Sequence, residues 1–315
     1  MIDDTNELAT NIYLYPKFSG YDFVYFRLLG DGLGNLLFPW ARAVSISANY
    51  NIPIIAPTWA QFKVGPIFRN EPDKRFYTDL FRHADGYITG IKKVNVLMRL
   101  TKVTEVQLLT QSLPVDSSYV VYVSGMDNFF SSIINEYELI KRELLKITKP
   151  KHKKGLNISK NSISVHVRLG DFAKSANDDT DSQKAGASNT QLPISWYKAM
   201  ILRLRDVLGQ DYPVIIWSDD AGERLTELTN MTNTRREFLG SSIADLIGMS
   251  SARVLVASGS TFSMWASYLG RMPVIWYPGQ LRQKLYLENP NAEIEVSETD
   301  TPRLPSNFQQ CLIPN

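Results

Sequence analysis

Ser162-Ile163-Ser164-Val165-His166-Val167-Arg168-Leu169-Gly170-Asp171-Phe172 is the stretch whose reading decides the fold. Small or polar residues alternate with β-branched ones, as in a buried strand, until Gly170 breaks the pattern into a polar loop. An imidazole, a guanidinium and a carboxylate stand at that break. In open α/β sheets ligands bind outside the carboxyl ends of the strands, so His166, Arg168 and Asp171 fall where a cleft is expected. A guanidinium just inside a strand end is costly to bury without an anion, and its planar fork suits phosphate oxygens. A structural ion pair between Arg168 and Asp171 accounts for the same residues equally well.

Downstream, the α/β pattern repeats. Ala173 to Leu192 is polar and has the composition of a loop or lid, with Asp178-Asp179-Thr180-Asp181 as a solvated acidic run. Ile194 to Leu208 carries Trp196, Met200, Leu204 and Leu208 on one helical face. Val214 to Trp217 is apolar enough for a buried strand and ends in Ser218-Asp219-Asp220. A helix is predicted over Ile243 to Met249, and a strand over Arg253 to Ala257. Ser258-Gly259-Ser260-Thr261-Phe262-Ser263 then leads into a helix over Met264 to Leu269, and Pro273 to Tyr277 is the next strand. Alternation of this kind implies a parallel sheet with helices on both faces. Three strand ends therefore deliver polar groups to one edge. The glycine and hydroxyls of 258–263, opening a helix, suit an anion, although serine and threonine are also ordinary helix caps. Asp219 and Asp220 are placed to accept hydrogen bonds or to bind Mg²⁺; hydrogen bonding is preferred, since Asp220 also suits the start of a helix.

Upstream, Phe23 to Leu28 reads as the first strand, after a polar lead-in. Leu29-Gly30-Asp31-Gly32-Leu33-Gly34-Asn35 reads as a glycine-rich turn, Leu36 to Tyr50 as a helix and Ile52 to Ala56 as a second strand. Glycines there let backbone approach a ligand, or merely let the chain turn. Residues 57–130 are harder to assign: Gly65 to Tyr77 is a basic, aromatic surface connection, and short strands are expected at Tyr87 to Thr89 and Tyr119 to Ser124. An amphipathic helix is predicted over Ser131 to Ile147. Lys146 to Gly155, broken by Pro150 and dense in lysine, is the expected boundary, giving domains at 1–150 and 156–315 and a solvated linker.

The 315 residues are 44% hydrophobic and 21% charged, with a formal net charge of +2. No field for a polyanion results, so nucleic acid is not the expected partner. The single cysteine, Cys311, excludes an intrachain disulfide and a cysteine-based zinc site and fits a reducing compartment. The acidic start Met1 to Glu7 does not read as a secretory signal, and no apolar run approaches about 20 residues. A cytoplasmic location is expected, with any membrane contact peripheral.

Four motifs in order carry a family resemblance: Gly32-Leu33-Gly34-Asn35 with Phe38 and Ala41; His166 to Phe172; Ser218-Asp219-Asp220; and Met249 to Trp265 with Ser260-Thr261-Phe262-Ser263 near its end. Over roughly 23–278 the chain resembles the α1,2-fucosyltransferases of glycosyltransferase family 11 and their wider superfamily. The resemblance implies an α/β fold of GT-B type, two Rossmann-like domains facing across a cleft, with the acceptor on the N-terminal side. It implies inverting, metal-independent transfer of fucose from GDP-fucose to a glycan hydroxyl, with the nucleotide sugar as substrate and no cofactor. By the same resemblance, Arg168 binds the donor diphosphate and stabilises departing GDP, His166 lies on the nucleotide side, and Asp219 or Asp220 meets the guanosine. Ser260, Thr261, Phe262 and Ser263 hold the phosphates, while Gly32, Gly34 and Asn35 close over the donor. Asp171 and Asp31 are candidate bases, and Asp171 is also placed to orient Arg168. Leu169 stands where the family usually carries a second arginine, and Gly259 near its usual asparagine. The alternatives are a same-fold transferase for another nucleotide sugar, or a noncatalytic glycan- or nucleotide-binding protein.

Overall fold

The structure, a computed structural model, describes residues 12–68, 71, 73–110, 117–170, 190–220, 222–300 and 302–313. The chain divides into two compact units, residues 1–64 with 75–149 and residues 65–74 with 150–315. In chain order the first elements are β1 (Ile12–Lys17), β2 (Tyr21–Asp22), β3 (Arg27–Leu28), α1 (Leu33–Tyr50), β4 (Gln61–Phe62) and α2 (Gly65–Phe68). Then come α3 (Gly90–Arg99), β5 (Thr101–Thr104), α4 (Glu105–Thr110), β6 (Tyr119–Ser124) and α5 (Tyr137–Ile147). After β7 (Ile163–Val167) follow α6 (Ile194–Leu208), β8 (Val214–Ser218), α7 (Thr226–Thr229), β9 (Thr234–Glu237), α8 (Ser242–Met249) and β10 (Val254–Val256). The chain closes with α9 (Thr261–Gly270), β11 (Val274–Trp276), β12 (Glu293–Glu295) and α10 (Ser306–Leu312).

The first unit is built on the parallel sheet β1-β6-β5, to which single parallel bridges at Leu14–Ile54 and Ile55–Ile88 add two further chain crossings. Tyr15, Ile55, Ile88, Leu97 and Val120 form one cluster of its core. A small second sheet, β2-β3-β4, lies in the same unit. Of the predicted strand over Phe23 to Leu28 only its end, Arg27–Leu28, forms, because Val24 turns into the left-handed region at φ 71°. Asp22 Oδ1 accepts its N–H at 2.8 Å, while Lys93 Nζ and Thr58 Oγ1 donate to its carbonyl at 2.7 and 2.8 Å. The first strand is instead Ile12–Lys17, within the segment read as a polar lead-in. The helix predicted from Ser131 begins only at Tyr137, since Asn128 and Phe129 take positive φ and the chain makes tight turns before it.

The second unit is a six-stranded sheet in the order β12-β11-β10-β7-β8-β9, every pairing parallel. By position along the chain this is 6-5-4-1-2-3, the doubly wound order. Two strands escaped sequence reading, β9 (TRRE) and β12 (EIE). They are the sheet's edges, where charge is tolerated and the apolar signal fades. The α/β class with parallel sheets expected from sequence is the class observed in each unit. Strand β7 is buried throughout. Its Ile163, Val165 and Val167 join Trp196, Met200 and Leu204 of α6 in the main core, while Ser164 and His166 occupy the alternate positions. Ser164 Oγ accepts the Trp217 indole N–H at 3.1 Å.

Candidate functional site

In a doubly wound sheet the ligand crevice opens where the strand order reverses, here between β7 and β10. Their register pairs Val254 with Ile163 and Val256 with Val165, so the chain leaving β10 at Ser258 emerges beside the chain leaving β7 at Arg168. These are two of the three strand ends singled out in the sequence. The third, Ser218 to Asp220, leaves β8, which pairs with β7 from the other side.

Arg168 Nη1 is 3.0 Å from Asp219 Oδ2, both side chains being largely buried. Asp219 also receives the Leu169 N–H at 3.0 Å and the Gly170 N–H at 3.1 Å. One carboxylate thus folds the turn and holds the guanidinium at its mouth, a charge-assisted arrangement stronger than neutral bonds. Gly170 has a direct physical reason: a Cβ there would meet Asp219 Oδ2 at 2.5 Å. Leu169 is buried in the core cluster at 4% exposure, so an arginine at this position would place a second charge inside it. Asp220 holds Arg224 and accepts the Gly222 N–H at 2.9 Å. Its carboxyl titrates below the usual range although burial opposes this, because Gly222, Arg224 and Arg236 favour the charged form. Asp171 and the acidic run at 178–181 lie outside the described residues.

At the other strand end Ser260 caps α9, its Oγ accepting the Ser263 N–H at 3.3 Å. Gly259 is required by Gln280, whose Oε1 would lie 1.8 Å from an added Cβ. His166 lies beneath this loop at 4% exposure, with the Phe262 ring 5.3 Å away. Its Nδ1 contacts Ser263 Oγ at 2.7 Å, Ser258 Oγ at 2.9 Å and, more distantly, Ser260 Oγ at 3.4 Å. Burial first and Arg168 second hold the imidazole down at about 3, with Asp219 opposing. The ring is therefore neutral at physiological pH. The structure thus brings His166, Arg168, Asp219, Ser260, Phe262 and Ser263 together, with Thr261 beginning α9. Gln280 is the addition, found only once the packing is visible, and Ser258, counted in the sequence only as part of the hydroxyl run, gains its contact with His166.

Gly32, Gly34 and Asn35 belong to the first unit. Gly32 precedes α1 with extended backbone, and Gly34 and Asn35 are already in its first turn, earlier than the predicted start at Leu36. The Leu33 N–H donates to Tyr77 Oη at 2.9 Å, and the Gly32 carbonyl accepts from Asn35 and Leu36. Gly30, at φ 108°, leaves room for the wholly buried Arg27, whose Nη1 would lie 2.7 Å from a Cβ there. Arg27 donates to the Thr58 carbonyl at 2.7 Å and Gln61 Oε1 at 2.9 Å. Asp31 is exposed. Around this turn Tyr21, Phe23, Tyr25 and Phe26 are exposed, Phe23 and Phe26 stacking at 5.0 Å. Sequence reading had placed Phe23, Tyr25 and Phe26 in a strand and Tyr21 in the lead-in. Among the described residues no group of three or more His, Cys, Asp or Glu is placed to hold a metal ion, and no helix is long and apolar enough to cross a membrane.

A doubly wound unit with arginine and a hydroxyl-rich helix start at its switch point has the charge and donors that suit a phosphate-bearing ligand. The profile of Glycosyl transferase family 11 matches residues 110–276, more than half of the chain, and the protein belongs to that family of glycosyltransferases. No curated protein sequence matches the chain. Among solved structures, the NodZ α-1,6-fucosyltransferase soaked with GDP-fucose aligns at TM-score 0.48 and 13% identity, over 85% of this chain and 96% of that one. NodZ from Bradyrhizobium aligns at 0.47 and 13%, over 83% and 94% of the two chains. POFUT1 in complex with GDP-fucose aligns at 0.49 and 12%, over 84% and 97%.

Proposed function

We propose that this glycosyltransferase moves fucose from GDP-fucose to a hydroxyl of a glycan, with inversion and in α1,2 linkage. The observation that carries the proposal is Arg168 at the switch-point edge, clamped by Asp219 beside the start of α9. The motif resemblance supplies the donor. The bond between fucose C1 and the β-phosphate oxygen breaks, its electron pair leaving with GDP. The acceptor oxygen bonds to C1 from the opposite face and gives up its proton. Arg168 and the first amides of α9 stabilise the charge that grows on the β-phosphate, the kind of preorganised term that commonly dominates catalysis. Asp219 orients Arg168 and thereby shapes the donor site, with Asp220 nearer the guanosine. Asp171 and Asp31 are the carboxylates from which the proton acceptor is drawn, on sequence grounds.

The acceptor falls to the first unit, where exposed Tyr21, Phe23, Tyr25 and Phe26 offer ring faces to the apolar faces of sugars and hydroxyls to their edges. A transferase for another nucleotide sugar is the second reading, favoured by Leu169 in place of an arginine. Calorimetric titration with GDP, GDP-fucose, GDP-mannose and UDP sugars separates the two, followed by turnover with glycan acceptors and assignment of the product linkage. Binding of GDP and GDP-fucose without added metal is expected; binding of UDP sugars alone, or of no nucleotide, overturns the fucosyl assignment.

A further inference from the structure

Three buried hydroxyls converge on one ring nitrogen at the switch point, and their protons have few places to go. Ser258 Oγ lies 2.9 Å from Ser260 Oγ and 3.1 Å from Ser263 Oγ, and all three surround His166 Nδ1. Two backbone amides point inward as well: Ser258 N–H donates to Ser263 Oγ at 3.1 Å, and Ser263 N–H to Ser260 Oγ at 3.3 Å. Each hydroxyl has one proton to donate. Within the cluster the only atom able to accept without also donating is an unprotonated Nδ1. With Nδ1 as acceptor, Ser260 donates to Ser258, Ser258 to Ser263 and Ser263 to Nδ1, and every proton is placed. With Nδ1–H as donor, Ser263 Oγ takes the ring proton besides the Ser258 amide, the chain runs backwards, and the Ser260 proton is left without an acceptor in the cluster. A buried unmet donor costs about 1–3 kcal/mol, enough to choose the direction.

We infer that Ser258, with Ser260 and Ser263, is a positioning residue that locks His166 as the Nε2–H tautomer and presents that N–H, uncharged, to the bound nucleotide sugar. The ligand half of this statement rests on the donor reading above; the tautomer half does not. Among the described residues Nε2 has no hydrogen-bond partner, so its proton is the one left for a ligand. The strongly lowered basicity of the ring agrees with this. Arg168, two residues on, already supplies the positive charge, and among the described residues Asp219 is the negative group that acts on the imidazole. A neutral donor beside Arg168 adds a directed hydrogen bond without a second buried cation.

The test is ¹⁵N spectroscopy of the imidazoles in the full chain without ligand. There are 3 histidines, so the His166→Gln variant assigns the signal. The expected result is a single Nε2–H tautomer with Nδ1 hydrogen-bonded, still neutral near about pH 5. In the Ser258→Ala/Ser263→Ala double variant the Nδ1 resonance moves to an unbonded position or both tautomers appear, and kcat/KM for the donor falls about tenfold. An Nδ1–H signal or an imidazolium at that pH in the unsubstituted protein overturns the inference, and needs no variant to fold. So does an Nδ1 resonance unmoved in the double variant. Adding GDP is expected to shift the Nε2–H signal. If calorimetry shows GDP bound and that signal stays put, the ligand half falls. If GDP does not bind, the donor reading falls and takes the ligand half with it, while the tautomer result stands.

Discussion

Arg168 is the residue on which the proposed chemistry turns. It sits at the end of a wholly buried strand, and Asp219 both pairs with it and folds the Leu169-Gly170 turn beneath it. A guanidinium held in this way is preorganised before any substrate arrives, which makes it effective against charge that develops late. Arg168→Ala is expected to lower turnover by on the order of a hundredfold to a thousandfold, about 3 to 4 kcal/mol, with the fold intact by circular dichroism. Arg168→Lys keeps the charge but loses the planar fork, and should recover only part of that loss. Steady-state kinetics of the two variants check both statements, and unchanged turnover in Arg168→Ala would remove the residue from the mechanism. His166 and Arg168 were legible from the sequence because a titratable side chain in a β-branched run is conspicuous. The hydroxyls turned inward onto His166 were not, because serines before a helix read equally as caps, phosphate ligands or ring partners, and only packing chooses.

At the scale of elements, the joint between the expected domains shows how a charge run misleads. Lys146 to Gly155 reads as a solvated linker; Lys146, Lys151 and Lys154 are exposed, while Ile147 and Thr148 are buried. Gly155, however, is buried against α8. A Cβ there would meet the Ala244 carbonyl oxygen at 2.6 Å, Leu239 Cδ1 at 2.8 Å and the Gly248 amide nitrogen at 2.9 Å. Two of the three are backbone, which has little room to yield. Nearby His152 Nδ1 lies 2.8 Å from Ser241 Oγ, the cap of α8. Gly155→Ala is therefore expected to destabilise the second unit by about 1–3 kcal/mol, lowering the melting temperature by a few degrees. Calorimetric melting tests it, and an unchanged transition would mean the loop shifts freely. Residues 65–74 make the complementary point. They lie in the N-terminal half of the chain yet belong to the second unit, where Asp73 Oδ2 accepts the Ser242 N–H at 2.9 Å at the start of α8. Sequence order contains no sign of such an excursion, since a surface loop is polar wherever it docks.

For the molecule as a whole, a buried histidine and a half-buried carboxyl in the second unit titrate abnormally and in opposition. The Asp245 carboxyl is raised from 3.8 to about 7, chiefly by burial, with Asp73 and Glu237 adding to it and the Leu239 N–H and Arg236 opposing. Between those values the folded chain keeps a proton that the unfolded chain has lost. Its stabilisation is complete below 3.8 and disappears as pH rises through about 7. His166 is lowered from 6.5 to about 3, so there the unfolded chain holds the extra proton. Stability is complete above 6.5 on its account and is lost as pH falls toward about 3. Between 3.8 and 6.5 the two slopes cancel. Asp245→Asn should expose the histidine slope, stability falling on acidification by about 1.4 kcal/mol per pH unit relative to the unsubstituted protein. His166→Gln should expose the opposite slope. Urea unfolding of the three proteins across that window decides the matter; parallel curves would show that neither group is coupled to folding.

The alternation of apolar strands and helices from Ile163 onward determined the α/β class, the parallel sheet and the edge at which its polar residues gather. That much is local, because burial on both faces of a parallel strand leaves its mark on every residue. The motif order carried the family. What only the tertiary structure decided is which strand ends are neighbours, and to what each polar group is committed. The doubly wound order sets Ser258 beside Arg168 although 90 residues separate them in the chain. Asp219 closes a turn, Gly170 and Gly259 make way for Asp219 and Gln280, and Val24 bends the expected first strand into an aromatic display. Hydrogen-bond commitments of this kind depend on distances across the sheet, which no spacing along the chain encodes.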